Sequence, residues 1–149
     1  MLELGCGNSP DALQFYVTNA AVGARYIVPF LIGIDHDFAA LRHAERSSIH
    51  LLQADIAYLP FHMQFDLVIV RHPDIDRHAS VWQKALIHGP DLLNKNGILL
   101  VTTYSLPEFE QAKGLLASSK LVDTPLETKH LAPPGLQGRD RFILCWRNS

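Results

Sequence analysis

The chain has 149 residues, 48 % of them hydrophobic and 19 % charged, with a formal net charge of −2. That length and composition predict one globular domain, residues 1–149, and exclude a disordered chain. The near-neutral charge excludes a general pull toward nucleic acid or acidic membrane, and no apolar run reaches the roughly 18 residues of a membrane span.

Short apolar runs alternate with helical patterns along the chain. "LEL" at 2–4 reads as a first strand, already under way where the chain begins. A helix over about 10–22 follows, with Ser9 as N-cap, Pro10 at the first helical position, Asp11 in the first turn and Gly23 past the end. "FLIGID" at 30–35 is the second strand, and Asp37 starts a helix over about 37–46 with Phe38 and Leu41 on one face. "IHLLQA" at 49–54 is the third strand, and the segment 57–63 is too short for a firm helix. "FDLVIV" at 65–70 and "GILLVTTY" at 97–104 are nearly continuous runs of Val, Ile and Leu, as strands covered on both faces are. Between them a helix runs from about 77, capped by Asp76, and breaks at Gly89-Pro90. Another begins near Pro107, with Phe109, Ala112 and Leu116 inward. At the end, "KLVDT" and "DRFILCW" are strands expected to pair antiparallel through the Pro133-Pro134-Gly135 loop. The alternation predicts an α/β, Rossmann-like fold: a mostly parallel, seven-stranded sheet with right-handed crossovers, helices on both faces and a C-terminal antiparallel hairpin strand. The two cysteines, Cys6 and Cys145, fit a reducing compartment, so the expected location is cytoplasmic.

In such a sheet, ligands bind at the carboxyl ends of the strands near the topological switch point. Gly5 and Gly7 sit there; they permit a tight turn and close backbone approach. A dinucleotide site asks for a third glycine where Pro10 stands, and for an acid roughly 20 residues on, whereas Asp35 lies farther away.

"LELGCG" resembles motif I of the class I S-adenosylmethionine-dependent methyltransferases. "GIDHD" at 33–37, "QADIAYLPF" at 53–61 and "FDLVIVRHPD" at 65–74 resemble the next three motifs in the family's order, and "LLNKNGILLVTT" at 92–103 resembles the segment that follows. The match spans nearly the whole chain. It implies an enzyme that takes S-adenosyl-L-methionine as its cofactor. By the same resemblance, Asp35 accepts from the ribose hydroxyls and His36 flanks the adenine. Asp55 accepts from the adenine amino group, and the Ile56 backbone meets the ring. Gly5, Cys6 and Gly7 line the amino acid moiety, Glu3 orders their loop, and Arg71 joins this set. Each acid has a plainer reading: Asp35 as the start of a turn, Asp55 as a helix cap, Glu3 as an acceptor for loop amides. Cys6 reads as a small apolar filler, since no neighbour in sequence would activate its thiol.

Two features depart from the family. The leading helix that covers donor and substrate does not precede the first strand, so either a trimmed enzyme or one lacking its start is expected, with a second copy of the chain or a partner chain to cover the site. After the fourth strand, "RHPDIDRH" replaces the Asn/Asp-Pro-Pro-aromatic tetrad, which argues against a DNA adenine or protein glutamine acceptor. His72 is the candidate catalytic base for a hydroxyl or acidic carbon, with Asp74 as a second base or its orienting partner. A metal site made of His72, Asp74, Asp76 and His78 is the rival reading and is not expected; a solvated loop is the plain one. Trp82 and Leu86, four apart, fit helix packing. Arg139, Arg141 and His130 lie near the terminal hairpin, while His43, His50, His62 and His88 read as structural. The expected function is methyl transfer to an acceptor that is a small molecule rather than a nucleic acid, without membrane association. The alternatives are a donor-binding module that needs a partner for catalysis and, less favoured, a dinucleotide-dependent enzyme.

Overall fold

In the computed structural model the protein is described over residues 1–7, 30–43, 49–59, 61, 64–117 and 142–148. The expected helix over 10–22, the "KLVDT" strand, the Pro133-Pro134-Gly135 loop, and His62, His130, Arg139 and Arg141 lie outside these residues. Six strands are described: β1 (Leu2–Leu4), β2 (Ile32–Asp35), β3 (His50–Gln53), β4 (Phe65–Arg71), β5 (Leu93–Thr103) and β6 (Phe142–Arg147). Three α-helices join them: α1 (Phe38–His43), α2 (Ala79–His88) and α3 (Leu106–Ala117). The strands stand in the order β3-β2-β1-β4-β5-β6, all parallel except β6, which runs antiparallel to β5.

β1 is central, so its three residues are buried on both faces, and Leu2, Leu4, Ile34, Val68, Val70, Leu99 and Val101 form the middle of the core. Chain order reverses between β1 and β4. β1 is flanked by β2 and β3 on one side and by β4, β5 and β6 on the other, and in such sheets ligands bind at the carboxyl ends beside this reversal.

The helix starts follow local chemistry with one exception. Asp37 caps α1, its Oδ1 accepting from the Ala39 and Ala40 amides at 2.8 and 3.2 Å. At α3, Ser105 Oγ accepts from the Glu108 amide at 3.3 Å, and Glu108 Oε2 accepts from the Tyr104 and Ser105 amides, both at 3.2 Å: a capping box. Ala112 and Leu116 of α3 are fully buried, as expected, and Phe109 is half-buried. The exception is α2. It begins at Ala79, not 77, and its N-cap is His78, which makes no side-chain cap. Asp76 is not the cap, because its Oδ1 accepts instead from Gln111 Nε2 of α3 at 3.1 Å. Turns closed by Ile75 N–H to the Pro73 carbonyl (2.8 Å) and His78 N–H to the Asp74 carbonyl (3.0 Å) carry the chain to the helix.

β5 also begins earlier than expected, at Leu93 rather than Gly97. Asn94–Gly97 form a bulge: Phe65 pairs with Leu93, but Leu67 pairs with Ile98. Asn148 holds the bulge, donating its amide to the Gly97 carbonyl (2.9 Å) and accepting from the Asn96 amide (2.8 Å). A Cβ at Gly97 would stand 2.9 Å from the carbonyl oxygens of both Asn94 and Phe65, so only glycine fits.

β2 and the β1 turn approach closely through Gly33. A Cβ there would lie 2.9 Å from Cys6 Sγ and 3.0 Å from Leu51 Cδ2. Cys6 thus fills the space that the missing side chain leaves, as a buried apolar packing group. Gly33→Ala is expected to lower stability by about 1–3 kcal/mol through overpacking. In Cys6→Ala the same change should cost measurably less, because the two positions share one volume. Additive losses in a urea-denaturation cycle of the four proteins would show that the two do not compete for space.

Candidate functional site

At the carboxyl edge the chain leaves β1 through two glycines in the left-handed region, Gly5 at φ 69° and Gly7 at φ 61°. That conformation strains any side-chain-bearing residue. The two glycines face different surroundings. A Cβ at Gly5 would lie 2.8 Å from Trp82 Cη2 on α2, so this glycine lets the turn rest on the indole. At Gly7 no described atom lies within 4 Å of the corresponding point, so among the described residues its α-carbon faces open space. Trp82 is therefore core, as its spacing implied, and also the floor of the turn, which its spacing did not reveal.

Asp35 closes the turn. Its side chain lies at the end of β2, and the residue is only 8 % exposed. Oδ2 accepts from the Gly7 amide at 2.9 Å and Oδ1 from the Asp37 amide at 2.8 Å. The Cys6 amide donates to the Ile34 carbonyl at 2.9 Å, extending the β1–β2 ladder into the turn. Each carboxylate oxygen keeps further acceptor capacity beyond its one amide. His36 is exposed, with Nδ1 3.4 Å from Asp35 Oδ1.

Glu3 sits on β1 beneath the turn and is 1 % exposed. The Arg71 guanidinium reaches it from the end of β4, with Nη1 3.8 Å from Glu3 Oε1, and the Arg71 side chain is itself 14 % exposed. A buried carboxylate needs such a counter-charge. The field at the turn is nevertheless negative enough to act on Cys6. Burial, and then the charges of Glu3 and Asp35, push the Cys6 thiol up to about 12. Cys6 is thus a thiol at physiological pH and not a nucleophile.

The loop after β3 carries Asp55, whose Oδ1 accepts from the Ala57 amide at 2.8 Å. It thus shapes its own turn through one carboxylate oxygen. Ile56 is buried in the core cluster, which fixes the backbone on either side of it.

The turn after β4 holds His72 at φ 48°, a strained conformation for a residue that also precedes Pro73. Its amide donates to the Thr102 carbonyl on β5 at 2.9 Å. Its imidazole lies face to face with the Tyr104 ring, centroids 3.7 Å apart and planes 20° from parallel. Asp74 is engaged with Arg77, not with His72: Oδ1 accepts from the Arg77 amide at 3.3 Å, and Oδ2 lies 3.9 Å from Arg77 Nε. The structure thus brings Glu3, Gly5, Cys6, Gly7, Asp35 and Arg71 together, puts His72 on the neighbouring strand end, and leaves Asp74 on the outside of its turn. Among the described residues no group of three or more His, Cys, Asp and Glu side chains is gathered as a metal site would require. Tyr104 escaped sequence reasoning, although its place just past β5, at the same edge as His72, was the signal that pointed to it.

No protein-family model matches the chain, and no curated protein matches it in sequence. Solved structures do match in shape. The aminoglycoside resistance methyltransferase NpmB1 superposes with a TM-score of 0.66 at 19 % identity, over 99 % of this chain and 86 % of that one. CalS10, an amino pentose methyltransferase from Micromonospora echinaspora solved with S-adenosylmethionine bound, gives 0.57 at 21 % identity over 72 % of this chain. The [4+2]-cyclase SpnF gives 0.63 at 16 % identity over 82 % of this chain. The match spans 43 % of CalS10 and 52 % of SpnF. With β1 central, the reversal between β1 and β4, the glycine turn and an antiparallel last strand, the chain has the class I S-adenosylmethionine-dependent methyltransferase fold.

Proposed function

We propose that this chain binds S-adenosylmethionine at the glycine turn and transfers its methyl group to a small-molecule acceptor. The observation that carries the reading is the pair of buried carboxylates, Glu3 and Asp35, that bracket the turn. A negatively biased, desolvated turn favours a ligand that brings positive charge, as a sulfonium and an ammonium do, and disfavours a diphosphate. The open space over Gly7 is room for a ligand to meet the backbone. Fold likeness alone does not decide the chemistry, as the cyclase among the similar structures illustrates.

When bound, S-adenosylmethionine supplies an electrophilic methyl group on a positively charged sulfur. The chain's residues would divide the rest of the molecule between them. Asp35 has acceptor capacity left for ribose hydroxyls, with His36 beside the adenine. Asp55 Oδ2 would accept from the adenine amino group, with the Ile56 backbone against the ring. Gly5, Cys6 and Gly7 would line the amino acid end, where Arg71, held by Glu3, would meet its carboxylate. His72 would take the proton from an acceptor hydroxyl. A second reading, a donor-binding module completed by a second copy or another chain, is favoured by the burial of both His72 ring nitrogens and the engagement of Asp74 with Arg77.

Calorimetry with S-adenosylhomocysteine should show binding, and NAD should show none; the reverse result would overturn the donor assignment. Asp35→Ala should weaken S-adenosylhomocysteine binding by about 1–3 kcal/mol and also loosen the turn, because its loss orphans the Gly7 amide as well as the ribose hydroxyls. Undiminished affinity in the folded variant would remove Asp35 from the site. The two glycines should separate. Gly7→Val should abolish donor binding and lower stability through its strained φ alone, whereas Gly5→Val should lower the melting temperature further by also driving against Trp82. His72→Ala should reduce kcat by roughly 10²–10⁴ with donor affinity unchanged, measured over a panel of small hydroxyl acceptors with labelled donor. A variant that keeps the wild-type rate would leave alignment of the acceptor as the source of catalysis.

A further inference from the structure

The glycine turn is fixed by contacts of opposite kind from two elements. From the end of β2, the Asp35 carboxylate draws in the Gly7 amide at 2.9 Å. From α2, the Trp82 indole stops the turn at Gly5. The point where a Cβ would stand is 2.8 Å from Cη2 and 3.3 Å from Cζ2 of that ring, so the α-carbon one bond behind it rests on the ring edge. The indole is poorly placed to yield. Trp82 is 8 % exposed, its amide donates to the His78 carbonyl at 3.1 Å, and its helix neighbours Ala85 and Leu86 are buried. A large flat ring, close-packed on the buried side of a helix, shifts only with that helix. Gly5 approaches it so closely only because it carries no side chain.

We propose that Trp82 is a positioning residue of the donor site: the indole sets the height of the turn, and with it the place of the Gly5–Gly7 backbone that the donor meets. In this role Trp82 acts through Gly5 and not by touching the donor. A hydrogen bond alone leaves the turn some play, because such bonds accept a range of distances and angles, whereas repulsion between carbon atoms rises steeply at contact. Asp35 therefore supplies the attraction and Trp82 the stop. A site that meets its ligand through backbone depends on such a stop, because binding groups have to be held within roughly 0.5 Å of the productive geometry. A phenyl ring at position 82 is smaller than the indole and leaves a gap beneath Gly5, and a leucine leaves no flat edge there. The identity of the ligand rests on the methyltransferase reading above, whereas the contact between Trp82 and the turn does not.

Calorimetric titration with S-adenosylhomocysteine tests the role in Trp82→Phe and Trp82→Leu, each shown to be folded by circular dichroism and a cooperative melt. Leu86→Val, a change at a fully buried residue of the same helix, is the control. Trp82→Phe should weaken binding about fivefold and Trp82→Leu about tenfold or more, whereas Leu86→Val should lower the melting temperature and leave the affinity within about twofold of the wild type. Wild-type affinity in folded Trp82→Phe would overturn the proposal. So would an equal loss of affinity in Leu86→Val, since a general loosening of α2 would then suffice. The contact itself is measured without ligand. Gly5→Ala should lower the melting temperature of the wild type through both its positive φ and its clash with the indole. In Trp82→Leu only the φ strain remains, so the same change should cost about half as much or less. Equal drops in the two backgrounds would overturn the contact. Failure of the wild type to bind S-adenosylhomocysteine would overturn the methyltransferase reading and leave the coupling of Gly5 to Trp82 to be decided by the melting temperatures.

Discussion

The hydrogen bond from the Gly7 amide to the Asp35 carboxylate, 2.9 Å long and partly buried, is the contact on which the carboxyl edge depends. A parallel sheet pairs backbones only as far as its strands run; past β1 the chain must turn away with its amides unsatisfied. Asp35 sits where β2 ends and takes one amide from the turn beyond β1 and one from its own following residue, Asp37. It therefore joins two neighbouring strand ends at one point. The positive φ of Gly5 and Gly7 is the geometric condition for this contact, and the bare α-carbon of Gly33 lets Cys6 settle close enough for the turn to reach it.

Electrostatics makes the same turn distinctive. Burying Glu3 is costly, and Arg71 from β4 offsets that cost across the reversal point of the sheet. The ion pair thus ties β1 to β4 as Asp35 ties β1 to β2. The Cys6 thiol is raised first by burial and then by the charges of Glu3 and Asp35. One short turn carries both the mechanical join of three strands and a local negative charge bias.

Much of this was legible in the sequence, and what was not has a common cause. The strand runs and the glycine turn announce themselves through local patterns: continuous Val and Ile, paired glycines after the first strand, a helix-capping Asp37. Asp35 could be placed at a strand end, but that its oxygens already serve amides depends on Gly7, 28 residues earlier. Asp76 looks like a cap because capping is a local preference; Gln111, 35 residues later, competes for it successfully. The Asn-Lys-Asn-Gly stretch reads as a turn before a strand. It is a bulge within one because Asn148, at the far end of the chain, supplies the missing backbone partners. Periodicity showed that Trp82 is buried without showing that it lies under Gly5. In each case the deciding partner lies on another element.

The capping box at the start of α3 has a consequence for timing. Because Glu108 holds the Tyr104 amide, the backbone beneath the aromatic ring is part of the helix start and does not travel with the side chain. Any movement of the Tyr104 ring against His72 is then a rotamer change of one side chain, and not a loop rearrangement on the microsecond-to-millisecond scale.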